Sequence, residues 1–374
     1  MVADDAEAVM AHFVAFDRVK KVLAQGKTKS SVILDNDLQV DLRVVEEASF
    51  GSAMHYFTGS QAHNIVMRRR AQQQDMKLNE YGLFEGERQV CGASEEEIFK
   101  TLGLPFIEPE LREDRGEFEA SEGDGLPELI HEEQIRGDLH NHTRASDGKN
   151  TLEEMAAAAK ARGYEYFAVT EHSKRLTVAN GLDEDRLLAQ IDDIDRVNET
   201  LEGIRILKGI EVDILEDGSL DLSDDVLGRL DLVVGSVHSL FNLSEARQTE
   251  RIMKAMDHPY FTILGHPTGR LVLEREPYEV DVARIIDHAA ERGCYLELNA
   301  NPMRLDLNEI YCKLACSKGI LISINTDAHR AEDFGLIRYG IGQARRGWLG
   351  SADVLNTRSL GELMPLLDKT MGRG

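Results

Sequence analysis

Six of the chain's twelve histidines sit at the ends of short apolar runs. His140 and His142 end "GDLHNH", His172 ends "YEYFAVTEH", His238 ends "LDLVVGSVH", His266 falls in "FTILGHP" and His329 ends "ILISINTDAH". Three carboxylates stand with them: Asp147 in "TRASDG", Glu211 near the end of "IRILKGIEV", and Asp327 two residues before His329. Residues two apart in an extended segment point the same way, so His140 pairs with His142 and Asp327 with His329. Neutral imidazole beside carboxylate is a donor set for Zn²⁺, Mn²⁺ or Fe²⁺. One ion takes about four to six donors, so nine imply two or three ions. Such ions suit hydrolytic chemistry. A divalent metal lowers the pKa of its water from about 15.7 to near 7, and two ions roughly 3.5–4 Å apart can hold the attacking and leaving oxygens. Three dications would also offset about six negative charges and admit an anionic substrate.

The runs that deliver these residues are strand candidates. With "CYLELN", which ends at Asn299, they number seven. Helical patterns such as "TLEEMAAAAKARG" and "DVARIIDHAAERG" lie between them, each closed by glycine. Repeated strand–helix units with fully apolar strands predict a parallel sheet closed as a barrel. Barrel enzymes carry their chemistry at the C-terminal ends of the strands, where the His, Asp and Glu residues fall here. Arg175 in "EHSKR", Arg270 in "GHPTGR" and Arg304 in "NANPMR" are candidates to grip a phosphate with two parallel hydrogen bonds. Ser173 and Asn299 are further pocket candidates. His258, before Pro259, and His288, in a helical pattern, read as ordinary residues. Cys91, Cys294, Cys312 and Cys316 fit neither a zinc ribbon nor a CxxC redox pair, and Cys312 and Cys316 read as reduced thiols on one helix.

In order along the chain, "DLHNHTRASDG", "VTEHS", "GIEVD", "VHS", "GHP" and "NTDAH" resemble the motifs of the PHP family (polymerase and histidinol phosphatase). The resemblance covers residues 135–374. It implies a distorted seven-stranded (β/α) barrel of TIM-like kind with a trinuclear metal centre. By the family pattern His140, His142, Glu211 and Asp327 would hold one ion. Glu211 would bridge to a second ion, held with His238 and His266. Asp147, His172 and His329 would hold a third. Glu211, Asp327 and His142 would stand at the catalytic centre, and Mn²⁺ or Zn²⁺ would be the cofactor. Glu171 stands where many members have Asp before the second-motif histidine, a position outside the nine donors.

The chain carries a net charge of -24, unevenly spread. Residues 1–90 hold 11 Lys and Arg against 13 Asp and Glu, or -2, which leaves -22 for the remainder. A bare acidic surface repels nucleic acid, so metal ions or another segment must offset that charge if the remainder acts on DNA. No run approaches the roughly 18 apolar residues of a membrane span. The N-terminus "MVADDAEAVM" carries acids where a secretory signal carries Lys or Arg, which predicts a cytoplasmic protein. Residues 107–133, rich in acids with Gly and Pro, have the composition of a linker. It separates a module at 1–106 from one at 134–374.

In the first module "LQVDLRVV" alternates around Asp41, and "HYFTGSQAHNIVMRRRA" and "KLNEYGLF" follow. Together these segments resemble the palm and thumb of a family X DNA polymerase, a small α+β remnant ahead of the barrel. The resemblance places Tyr56, Phe57, Gly59 and Asn64 in the segment at the incoming nucleotide, makes Asp41 the strand aspartate that completes a carboxylate triad for two metals, and puts Arg68 on the template side. The order palm–thumb–linker–PHP is that of the bacterial family X polymerases. The paired aspartates of that family lie in an upstream palm segment, and one carboxylate does not hold two Mg²⁺ ions, so template-directed synthesis by this chain alone is not expected. An incomplete palm sheet exposes an edge that a partner or a second copy could pair. The expected activity is a metal-dependent phosphoesterase acting on DNA ends, gaps or abasic sites in repair: 3′→5′ exonuclease, abasic-site endonuclease or 3′-phosphatase. The alternatives are a small-molecule phosphatase of the histidinol-phosphatase kind and a non-catalytic DNA-binding remnant.

Overall fold

Two small antiparallel sheets and the helices around them make up Met1–Leu126, the first of two units in the computed structural model, which describes residues 1–373. β1 (Val19–Gln25), β2 (Lys29–Leu34) and β3 (Gln39–Arg43) form the first sheet in that order. β2 is buried over Ser30–Val32, whereas β1 pairs on one edge and leaves Val22 and Leu23 exposed. Helices Phe50–Thr58 and Gln61–Gln72 meet at Gly59, whose φ of 74° favours a residue without Cβ. Ser60 caps the second helix by accepting from His63 N at 3.3 Å. β4 (Lys77–Asn79), β5 (Gly82–Glu85) and β6 (Arg88–Cys91) form the second sheet.

The acidic stretch 107–133 differs from a linker in its first part. The division between units falls at Leu126/Pro127, and Ile107, Leu111 and Phe118 are buried in the first unit. Arg112 is buried as well, with its Nε donating to Ile107 O at 2.9 Å and its guanidinium 5.1 Å from the Phe99 ring centre. Glu117 accepts from Asp114 N and Arg115 N, both at 2.7 Å, and lies 3.0 Å from His63 Nδ1. These charges are buried with partners, as burial demands. Composition counts them as solvated acids and bases.

The second unit runs from Pro127 and is built on one parallel sheet. Its strands are β7 (Gly137–Asp138), β8 (Tyr166–Val169), β9 (Arg205–Asp213), β10 (Leu232–Ser236), β11 (Ile263–Leu264), β12 (Tyr295–Asn299) and β13 (Ile322–Asn325), neighbours in chain order. Each of the seven apolar runs became a strand. Thr151 and Glu154 form a capping box at helix Leu152–Ala161, and Gly293 at φ 74° ends helix Val282–Arg292.

Side chains alternate along each strand. Phe167, Val169, Ile206, Val233 and Leu296 pack in the large core with the surrounding helices. Tyr166, Ala168, Leu207, Leu232, Val234 and Ile263 form a separate cluster with Leu363 and Leu367 of helix Leu360–Thr370. This second face lines the lumen, and the last helix plugs its N-terminal end. Toward the C-terminal end the same columns turn polar: Leu207 gives way to Glu211 and Asp213, and Tyr295 to Glu297 and Asn299, all buried.

The barrel is nearly closed. β7 and β13 share no ladder, and one isolated bridge, Asn141 to Ala328, joins the strands beyond them. Side chains fill the seam. Asn356 donates to Gly137 O and Ile324 O (2.8 and 2.7 Å) and accepts from Ile324 N at 3.0 Å. Asp138 accepts from Thr326 N and Oγ1 at 3.0 and 2.6 Å. Among the described residues no helix is long and apolar enough to cross a membrane.

Candidate metal centre

The C-terminal ends of the strands bring all nine sequence-predicted donors together. His142, Asp147, His172 and His329 form one group whose donor atoms lie within 4.8 Å of one another; His140, His142 and Asp327 form another, and His172, Glu211 and His238 a third. His266 joins through its Nε2, 2.9 Å from Glu211 Oε1. Glu211 sits at the centre, with His172 Nδ1 at 2.6 Å, His238 Nε2 at 3.2 Å and His140 Nε2 at 3.5 Å. The backbone is held in unusual conformations here: His266 has φ 25° and Asp327 φ 54°. Such strain costs roughly 1–3 kcal/mol and persists where the surroundings over-determine it.

Whether these atoms suit cations can be judged from how they face one another. His140 Nε2, His142 Nε2, His172 Nδ1, Glu211 Oε2 and His238 Nε2 are buried and make no hydrogen bond of acceptable geometry, although several lie within 4 Å of an opposite partner. Buried polar atoms are normally satisfied. Lone pairs that crowd one region without bonding to each other fit one or more cations between them. The charge balance agrees. Burial alone would neutralise His172, but Glu211 and Asp147 raise it to about 10. Burial, His172 and His329 together depress His142 to about 3. Burial would lift Glu211, yet His238, His172 and His140 hold it well below the usual carboxylate range.

Three carboxylates orient the donors: Glu297 and Asp213, which sequence reading missed, and Glu171, which it noted without assigning a role. Glu297 lies 2.7 Å from His140 Nδ1 and accepts from His266 N at 2.6 Å and from Asn325 Nδ2 at 3.0 Å. It turns His140 Nε2 toward the cluster, as outer carboxylates do at metal-binding histidines. Asp213 stands 3.3 Å from His238 Nδ1. Glu171 gathers Thr143 N at 2.9 Å, the Thr143 and Ser146 hydroxyls and Gln190 Nε2 at 2.9 Å, fixing the loop that carries Asp147. The available signal was an acid inside an otherwise apolar strand, as in "CYLELN".

The secondary candidates divide. Asn299 Nδ2 donates to Asp327 Oδ2 at 3.1 Å, and Arg304 Nε lies 3.4 Å from the same oxygen, so both are at the cluster. Arg270 spends its guanidinium on Arg304 O and Leu305 O and supports a loop. Ser173 is buried and accepts from Asp213 N at 2.9 Å, one step behind the donors. Arg175 is exposed, with its backbone N on Asp221 Oδ2. His258 and His288 lie against Asp224 and Asp257, both at 3.1 Å. The four cysteines are free thiols.

In the first unit Asp41 is exposed on β3 beside Gln39 and Arg43. Tyr56 and Phe57 are exposed on one helix with ring centres 5.0 Å apart, and Arg43 lies over Phe57 at 4.9 Å. Asn64 Nδ2 donates to Tyr56 O at 2.9 Å, and Arg68 Nε to Asn64 O at 3.2 Å.

A parallel seven-stranded barrel with histidines and carboxylates clustered at its strand ends is the fold expected of the PHP class, and the family model "PHP domain" matches residues 138–301. The model "DNA polymerase beta thumb" matches residues 53–113. The chain belongs to the PHP family, and a segment matching the polymerase-beta thumb precedes its barrel in the sequence. It is 42% identical over 370 residues to the DNA polymerase/3′-5′ exonuclease PolX of Bacillus subtilis (strain 168), a match that takes in 98% of this chain and 65% of that protein. The chain therefore spans just under two thirds of that relative's length. It is 30% identical over 231 residues to a protein named "Probable phosphatase" in Thermoanaerobacter sp. (strain X514), covering 59% of this chain and 89% of that one. A solved structure of histidinol phosphate phosphatase from Lactococcus lactis is 18% identical, with a TM-score of 0.43, over 57% of this chain and 94% of that one.

Proposed function

We propose that the barrel is a metal-dependent phosphoesterase that removes nucleotides from the 3′ ends of DNA, with abasic-site and 3′-phosphate processing as related uses of the same centre in repair. The observation that carries this reading is the cluster of buried, unbonded ring nitrogens and carboxylate oxygens around Glu211. His140, His142, Glu211 and Asp327 would hold one ion, Glu211 with His238 and His266 a second, and Asp147, His172 and His329 a third. Mn²⁺ or Zn²⁺ would supply a nucleophilic hydroxide near neutral pH and charge neutralisation at the phosphate. The chain's own groups do the rest. Glu297, Asp213 and Glu171 keep the donors oriented, and Asn299 fixes the carboxylate of Asp327. Arg304 has guanidinium nitrogens beyond the one facing Asp327 with which to hold a phosphate oxygen. The choice of DNA as substrate is supported by the thumb match and by the activity in the Bacillus relative's name. The first unit would then contribute binding, with the exposed Tyr56, Phe57 and Arg68 facing DNA, whereas Asn64 is buried and holds the Tyr56 carbonyl, and the open edge of β1 would accept a strand from a partner. We also propose a cytoplasmic location and a functional division between a first module, to which residues 107–126 belong, and the barrel.

A second reading, a phosphatase of small esters, is favoured by one observation: the Thermoanaerobacter relative named a probable phosphatase is matched over 89% of its own length by 59% of this chain. The test is hydrolysis of 3′- and 5′-labelled oligonucleotides with Mn²⁺, beside a chelated control and an Asp327→Ala protein. Stepwise metal-dependent shortening from the 3′ end is expected. The substitution should cost more than the roughly 10–100-fold typical of outer-shell changes, with parallel loss of bound metal. Intact DNA with rapid phosphate release from small esters would sink the nuclease reading.

A further inference from the structure

The segment after His266 is more elaborate than the metal donors require. Leu271 and Arg275 exchange backbone hydrogen bonds at 2.8 Å, closing a hairpin with Val272, Leu273 and Glu274 at its tip. Leu273 is fully exposed, and its φ of 66° lies in the left-handed region. For a leucine that conformation is unfavourable by about 1–2 kcal/mol, whereas Gly or Asn adopts it readily. A lone exposed leucine needs no explanation. One held in a strained conformation on a braced support does.

The bracing is extensive. Val272 N donates to Met303 O at 2.6 Å, tying the hairpin to the loop after β12. Arg270 binds the carbonyls of Arg304 and Leu305 in that loop. Arg275 donates to Gly269 O at 3.0 and 2.7 Å and lies 4.2 Å over the Phe241 ring. Val272 and Met303 are exposed beside the tip. The same support carries two cations. Arg304 reaches Asp327, and Arg275 is depressed by its burial and by the charge of Arg304. Among the described residues Arg275 has no carboxylate in ion-pair range, and the exposed Glu274 and Glu276 pair with neither arginine. Arg304 stands at the cluster, and Arg275, close enough to feel its charge, has one terminal nitrogen beyond those bound to Gly269 O; the pair suits a phosphodiester.

We propose that the Leu271–Arg275 hairpin is a strand-end wedge, in which Leu273 inserts against the terminal base of a DNA strand and breaks its stacking while Arg275 and Arg304 hold the adjoining phosphate. Apolar side chains are used in this way to unstack base steps. The proposal rests on the nuclease reading and gives it a specificity: a small phosphate ester has no base to displace, so the hairpin leaves its hydrolysis unchanged.

The test uses a duplex whose 3′-terminal base is 2-aminopurine and whose last linkage is a slowly cleaved phosphorothioate. The full-length, metal-loaded chain should raise the fluorescence several-fold on binding. Leu273→Asn, which suits the left-handed backbone and so keeps the hairpin, should abolish the rise. It should also lower kcat/KM on an ordinary duplex roughly tenfold, in line with the stacking energy of one base, and leave p-nitrophenyl phosphate hydrolysis unchanged. No rise with the unaltered chain, or the same rise with Leu273→Asn, overturns the wedge. A rise that depends on Leu273, without shortening of the ordinary duplex, upholds the wedge and overturns the nuclease reading alone.

Discussion

Glu297 is the residue on which the geometry of the centre turns. It orients His140 through Nδ1 and holds the backbone of His266, two donors from different strands. Glu297→Gln keeps the shape and removes the charge. It should weaken metal binding by about 10–100-fold, read by competition with a coloured chelator, while the unfolding midpoint of the metal-free protein moves little. Eight of the nine proposed donors could be grouped from the sequence because they lie at or near the ends of apolar runs, and strand ends on one side of a barrel must converge; Asp147 sits in the loop after β7 and came only with the motif "DLHNHTRASDG". Glu297 was not, because a carboxylate within a strand reads as one polar residue until its neighbours in space are known. Arg270 shows the opposite failure. Its position beside "GHP" suggested phosphate binding, yet its guanidinium is consumed by carbonyls of the next loop.

Among the elements, the seven strands were legible for a physical reason: a parallel strand covered on both faces is apolar throughout. What the sequence concealed is how the sheet closes. Asn356, far from any strand, replaces part of the missing ladder between β7 and β13 with its amide. Asn356→Ala would leave two carbonyls and one N–H buried without partners, at about 1–3 kcal/mol for each group that water does not reach. A lower urea midpoint with an unchanged slope is the expected result. Residues 107–126 were concealed for a similar reason. Their acids read as linker, whereas Glu117 and Arg112 are interior groups whose partners lie far away in sequence.

For the molecule as a whole, charge and metal are coupled. The acids that give residues 91–374 a net -22 include the carboxylates of the centre, and bound dications would offset them. A ligand that binds the folded state at about a hundred times its Kd adds about 2.7 kcal/mol. Trp348, the chain's one tryptophan, lies in the second unit beneath Lys313 Nζ at 3.3 Å from the ring centre. Its fluorescence therefore reports that unit alone. Chelation should lower the unfolding temperature it records, and added Mn²⁺ or Zn²⁺ should restore it in proportion to concentration. An unchanged transition would mean that the cluster holds no ion of consequence.

The seam gives that coupling a mechanical meaning. His140 and His142 leave the sheet on the β7 side of the gap, and Asp327 and His329 on the β13 side. An ion shared by His140, His142 and Asp327 would join chain positions almost two hundred residues apart, a reversible clasp that exists only in the folded chain and stabilises it by mass action. The hoop would then be buckled at its reaction centre. Loss of the buckle would disarm the enzyme and loosen the barrel in one event, so a metal-starved cell would hold few intact but idle copies, because the idle ones are those most open to proteolysis.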